Sequence, residues 1–215
     1  MMLIRKQLMR VYDSIALSYH SKRVRPWTPI VYRAILCLKP NLQSVIVDVG
    51  CGHGYIAGYL RAKGAEVLAL DIDPTVLKEQ SIKSYFIRGD AQHLPVRDET
   101  LDFIIAFEVI EHLKNPDMAI SEFYRCLKKG GVLLLTTPTP RSPAANYPEH
   151  VSIRSRKAWI KALESTGFIV KIITYRYPFR LPYAPKMLNL AVGWLLGLYK
   201  RYLSVTSAKL LCVKK

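Results

Sequence analysis

The sequence predicts an α/β fold with a mostly parallel sheet, on three observations. Short β-branched runs alternate with stretches whose apolar residues fall at helical spacing. The first run breaks into glycines just where a helix should begin. The next run then closes on a carboxylate.

The first of these is Ser44 to Tyr55, SVIVDVGCGHGY. Val45 to Val49 is long enough for a buried strand and too short for a helix. Gly50, Cys51, Gly52, His53 and Gly54 follow, and from Tyr55 to Arg61 the apolar spacing is helical. Glycines let a backbone approach a ligand closely, and a helix start offers it unpaired N–H groups. The order Asp48-x-Gly50-x-Gly52-x-Gly54, with Tyr at 55, departs from the dinucleotide fingerprint, whose third glycine packs helix on strand. Glu66 to Asp71 is a second strand, and Asp71 stands 21 residues after Gly50. A carboxylate at that strand tip is placed to grip the two hydroxyls of a ribose.

At these residues the chain resembles the class I S-adenosylmethionine (SAM)-dependent methyltransferases, from about residue 12 to 170 plus a last strand. Later motifs carry the resemblance on. Asp90-Ala91 follows a third short run, Tyr85 to Ile87, where that family reads the adenine. Leu101 to Phe107 is similar to its fourth strand. Leu127 to Leu135 (LKKGGVLLL) is similar to its helix end, glycine turn and fifth strand. The resemblance implies a Rossmann-like, seven-stranded, mostly parallel sheet with helices on both faces and an antiparallel last strand. It implies SAM as cofactor, bound by Asp48, Gly50, Cys51, Gly52, Asp71, Ile72, Asp90, Ala91 and Phe107. Tyr19 joins them from Tyr12-Asp13-x-x-Ala16-x-x-Tyr19-His20, similar to a segment that closes over the methionine end in small-molecule methyltransferases.

The 215 residues are read as one domain: an N-terminal helical cap over 1–43, a SAM-binding core over 44–174, an insertion over 175–206 and a last strand over 207–215. In the cap, Pro26 and Pro29 break the chain, and Thr28 caps a helix to Leu38. In the core, Asp73-Pro74 reads as cap and first residue of a helix. Ser155 to Thr166 reads as a helix stopped by Gly167, Phe168 to Thr174 as the sixth strand, and Ala208 to Val213 as the seventh.

Phe107-Glu108-Val109-Ile110-Glu111-His112 passes from the fourth strand into the ligand crevice. Two carboxylates and an imidazole within five residues suit a hard divalent cation such as Mg²⁺ or Mn²⁺. This E-x-x-E-H run resembles the metal-binding run of quinone-precursor O-methyltransferases and of small-RNA 2′-O-methyltransferases. Both place a further His after the fifth strand, a position taken here by His150. Glu108, Glu111, His112 and His150 are therefore the candidate metal ligands, and His112 and His150 the candidate bases.

Net charge is +16, and its distribution is uneven. Residues 1–44 carry +7, 45–137 carry −3 and 138–215 carry +12. Basic flanks around a mildly acidic core point to an anionic acceptor, a membrane surface or RNA. The insertion is oily at its centre: from Met187 to Tyr199 only Asn189 is strongly polar. That run is shorter than the ~20 residues of a membrane span, so it reads as core, lid or an interfacial segment over 186–203. Four scattered cysteines without a C-x-x-C pair, and a start that does not read as a signal peptide, suit a reducing cytoplasm, with membrane association through 186–203. The expected reaction is O-methylation of a small hydrophobic or lipid-like hydroxyl compound. The alternatives are RNA methylation and a non-catalytic SAM-binding regulator or partner subunit.

Overall fold

A computed structural model describes residues 44–62, 64–73, 75, 85–173 and 207–215. The chain divides into two compact units, Met1–Lys39 and Pro40–Lys215, and all of the described residues belong to the second. The expected cap helix, Tyr19, the helix after Pro74 and the insertion lie outside the described residues.

The second unit is built on a seven-stranded sheet in the order β3-β2-β1-β4-β5-β7-β6. Its strands are β1 (Val45–Val49), β2 (Glu66–Asp71), β3 (Phe86–Arg88), β4 (Leu101–Phe107), β5 (Leu127–Pro138), β6 (Phe168–Ile172) and β7 (Ser207–Lys214). β1 to β5 run parallel, and β7 lies antiparallel between β5 and β6. β1 and β4 are mostly buried, as largely apolar runs should be in a sheet covered on both faces.

Helix α1 (Tyr55–Ala62) links β1 to β2, while α2 (Pro116–Cys126) links β4 to β5. These crossovers step outward from the sheet centre in opposite directions. Since both are right-handed, they place α1 and α2 on opposite faces and open a crevice between the carboxyl ends of β1 and β4.

Local sequence accounts for the helix ends. Pro116 sits in the first turn of α2 with Asp117 beside it, and Pro116, Ala119, Ile120 and Phe123 form the buried stripe. Helix α3 (Arg156–Thr166) starts at Ser155, whose Oγ accepts the Ala158 N–H at 3.2 Å, and buries Trp159 and Leu163. It stops at Gly167, which adopts φ +111°; a Cβ there would press on the Tyr124 ring.

One element differs from the sequence reading. The glycine turn at Lys128-Lys129-Gly130-Gly131 does not precede β5 but lies inside it. Leu101 pairs with Leu127 and Phe103 with Val132, so residues 128–131 bulge from the ladder. Asp102 pins the bulge from the neighbouring strand, accepting from Lys128 Nζ at 2.9 Å and from the Val45 N–H at 2.8 Å. An ion pair across strands made continuous what local turn chemistry reads as a break.

Candidate functional site

The crevice starts at the glycine turn. Gly50 adopts φ +63°, and a Cβ there would collide with the Val109 side chain, so this position needs glycine for two reasons. The Cys51 N–H donates to the Leu70 carbonyl at 3.0 Å, which ties the turn to β2. Asp71, at the end of β2, holds two backbones together. Its Oδ2 accepts the Gly52 N–H at 2.9 Å and its Oδ1 the Asp73 N–H at 3.0 Å. Asp48 lies beneath, 2% exposed, accepting the Ala57 N–H at 3.2 Å.

Burial pushes the Asp48 carboxyl up to about 7, against the Ala57 hydrogen bond that lowers it, and the nearby Asp71 raises it further. Burial first, then Asp48 and Asp71, also pushes the Cys51 thiol up. Two carboxylates under one glycine turn make a place for a cationic ligand.

The far wall comes from β3 and β4. The Gly89 N–H donates to the Asp71 carbonyl at 2.9 Å and brings Asp90 beside β2. Asp90 Oδ1 accepts the Gln92 N–H at 2.8 Å, and Gln92 Oε1 in turn accepts the Asn115 N–H at 3.1 Å. Ala91 and Phe107 are buried, whereas Ile72 is 61% exposed at the rim. Arg125 of α2 secures the following loop, donating to the Leu94 and Val96 carbonyls and pairing with Asp98 and Glu122. The structure thus gathers Asp48, Gly50, Cys51, Gly52, Asp71, Ile72, Asp90, Ala91 and Phe107 at the carboxyl ends of β1 to β4.

Past β4 the chain turns sharply. Glu108 takes φ +56°, its N–H donating to the Thr136 carbonyl at 2.8 Å. Ile110–His112 form one 3₁₀ turn, which buries Glu111 completely and leaves His112 exposed. The loop after β5 folds back onto this turn. Ser152 donates from N to the Glu111 carbonyl at 2.9 Å and from Oγ to the Leu113 carbonyl at 2.6 Å. Arg154 grips Asp117 through two 2.7 Å bonds and lies over the Trp159 ring.

These contacts bring His150 to His112, with ring centroids 4.6 Å apart and planes at 78°. One ligand atom from each of Glu111, His112 and His150 then lies within 4.8 Å of the others. Glu108 is not in this group: the left-handed turn carries it toward β7, where its charge acts on Lys209.

The tautomer of His112 follows from one contact. Its Nδ1 is 3.0 Å from the Glu149 carbonyl oxygen, which can only accept, so Nδ1 carries the proton and Nε2 keeps its lone pair. A backbone carbonyl behind an imidazole is the usual support of a metal-binding or basic histidine.

Sequence reasoning did not single out Ser152 or Arg154. Both act through contacts more than thirty residues away in the chain, and no local pattern marks them. Arg154→Ala should cost about 1 kcal/mol, as for a partly exposed ion pair, read from the urea midpoint.

Residues 47–135 match the family model described as a methyltransferase domain. The chain carries a class I SAM-dependent methyltransferase domain. A crystal structure of a SAM-dependent methyltransferase from Archaeoglobus fulgidus superposes with a TM-score of 0.66 at 20% identity, over 86% of this chain and 92% of that one. The chain is 34% identical over 98 residues to a malonyl-[acyl-carrier protein] O-methyltransferase of Hamiltonella defensa, which is 44% of this chain and 38% of that protein. It is 35% identical over 136 residues to a tRNA (carboxymethyluridine(34)-5-O)-methyltransferase of Arabidopsis thaliana, 61% of this chain and 32% of that one. The matches therefore span well under half the length of these two relatives. No helix among the described residues is long and apolar enough to cross a membrane.

Proposed function

We propose that this chain methylates an acceptor oxygen with SAM, on a small hydrophobic or lipid-like compound, and that Glu111, His112 and His150 form its reacting centre. The convergence of those three side chains beside the nucleotide crevice carries the reading. In the assignment proposed here, Asp71 holds the ribose, Asp90 and Ala91 the adenine, and Asp48 with Gly50, Cys51 and Gly52 the methionine end. Ile72 and Phe107 flank the base.

Methyl transfer is an in-line displacement at the sulfonium carbon, so alignment of donor and acceptor carries much of the rate. The hydroxyl must also lose its proton. His112 Nε2 is the available lone pair, and His150 beside it can pass the proton on.

The same trio suits a divalent cation. A cation bound at about 2.1 Å sets its ligand atoms no more than about 4.2 Å apart. The three atoms, within 4.8 Å of one another, lie close enough that a modest movement of the side chains would bring them onto one ion. One carboxylate with two imidazoles, and without Glu108, favours Mn²⁺ over Mg²⁺. A bound ion would supply Lewis acidity toward the acceptor oxygen.

The test is methyl transfer from labelled SAM after EDTA treatment. Activity should vanish, return with Mn²⁺ more fully than with Mg²⁺, and be absent in Glu111→Gln and His150→Ala while SAM affinity holds. Full activity in excess chelator would remove the metal and leave the histidines as bases.

A second reading, RNA O-methylation, draws on the net charge of +16 and on the tRNA methyltransferase relative. Labelled SAM turned over on total RNA but not on lipid extract would favour it. Binding of SAM with turnover on neither would leave a regulator or partner subunit.

A further inference from the structure

An open aromatic ring stands at the edge of the proposed reacting centre. Tyr147 lies in the loop after β5, three residues before His150, and is 46% exposed. Val151, directly after His150, is 57% exposed. Apolar residues scattered singly over a surface need no account, but two that bracket a side chain of the reacting centre do.

The backbone holds Tyr147 from both sides. Its N–H donates to the Ala144 carbonyl at 3.1 Å and closes the 3₁₀ turn Pro143–Asn146. Its carbonyl accepts the His150 N–H at 3.0 Å. Pro148 follows and disfavours helical backbone at 147, which sits at φ −70° and ψ 134°. A ligand that met this ring would have little backbone freedom left to remove.

The side chain extends a row of rings. His112 meets His150 edge-on at 4.6 Å between centroids, and Tyr147 meets His150 at 5.4 Å with the planes at 48°. The phenol ring is thus no farther from His112 than these two steps together, a span that one or two fused rings can bridge. Tyr85 shows the other fate of an exposed ring, because the Arg61 guanidinium lies over it, 3.0 Å from the centroid. At Tyr147 the neighbour is an imidazole of the reacting centre instead. Aromatic faces and edges pair best with further rings, offset or edge-on.

We infer that Tyr147 is the platform on which the acceptor stacks, and that the acceptor presents a planar aromatic ring to it, with Val151 extending the apolar contact. The inference rests on the proposed O-methylation and narrows its hydrophobic hydroxyl compound to an aromatic one. It does not depend on the metal.

Calorimetry on the full chain, loaded with S-adenosylhomocysteine in EDTA, tests it with 2-naphthol and decahydro-2-naphthol as probes. The two share a skeleton and a hydroxyl and differ in flatness and in the π-face. The wild type should favour the naphthol by roughly fivefold, as for one aromatic pair. Tyr147→Leu, which keeps an apolar side chain, and Tyr147→Ala should both remove that preference, whereas Tyr147→Phe should keep it. SAM affinity, unchanged in all three, would report that they fold. Equal wild-type affinity for the two probes, or a preference that survives in Tyr147→Leu, would overturn the platform. So would an oligonucleotide that binds through Tyr147 while naphthol does not bind, which would make the stacked ring a base of RNA.

Methyl transfer to 2,3-dihydroxynaphthalene separates the two readings. Turnover that falls in Tyr147→Leu and holds in Tyr147→Phe supports both. Naphthol binding that depends on Tyr147, with no methylation of the diol, supports the platform and counts against the reaction. Turnover on a lipid alcohol that no change at 147 affects, with the diol inert, supports the reaction and overturns the platform.

Discussion

Replacing Asp71 with Ala is expected to weaken SAM binding by about a hundredfold. Each charge-assisted hydrogen bond from ribose to this carboxylate is worth about 1.5–3 kcal/mol, and two at the lower figure give that factor. The same carboxylate also joins the glycine turn to the backbone after β2, through Gly52 and Asp73. The Ala variant therefore loses the shape of the pocket together with a ligand contact. Asp71→Asn keeps an accepting oxygen and should fall less far. Calorimetry with SAM, and with NAD as the competing nucleotide, measures both. Tight NAD binding without SAM binding would overturn the assignment of this pocket.

The second large effect is on stability. Asp48 ionises at about 7 in the fold because burial penalises its charge, against an ordinary value of 3.8. A raised folded pKa means that the stability this group contributes is fully present below about 4 and is lost as pH rises through 7. The full loss is on the order of 4 kcal/mol, of which roughly 2–3 falls between pH 5 and 8. Asp48→Asn, which keeps an oxygen for the Ala57 N–H, should remove the slope. The ligand-free variant should outlast the wild type at pH 8 and differ from it least at low pH, as urea midpoints would report. A wild type equally stable at both pH values, once the other carboxylates are accounted for, would count against a buried charge here. A cation placed over Asp48 pulls its pKa back down, so wild-type affinity for SAM should increase as pH rises through 7.

The nucleotide half of the site was legible because its signals are local. β1, β2 and β4 fall on the residues read from the sequence, and β3 is offset by one. Glycine spacing and a terminal carboxylate are properties of consecutive residues, and they survive folding unchanged. The acceptor half was only partly legible. Glu111, His112 and His150 converge, but Glu108 is drawn off by a left-handed backbone and a lysine one hundred and one residues later. Lys209 was not singled out within the expected seventh strand, since only the β5–β7 register places it beside Thr136. Similarly, the bulge in β5 depends on Asp102 of the next strand, which no turn rule contains.

The sheet order also sets a schedule. Residues 44–138 hold every strand from β3 across to β5, so the half that carries the nucleotide turn can pair as it is made. β6 comes next in the chain but has no neighbour among those strands, because the place between β5 and β6 belongs to β7. Until residues 207–214 arrive, β5 ends the sheet as an open edge and β6 waits unpaired, a condition that invites pairing with other chains. Closing the gap joins segments far apart in sequence, at a cost in loop-closure entropy. In a growing chain the nucleotide crevice is thus complete well before the strand that carries Lys209 docks against β5.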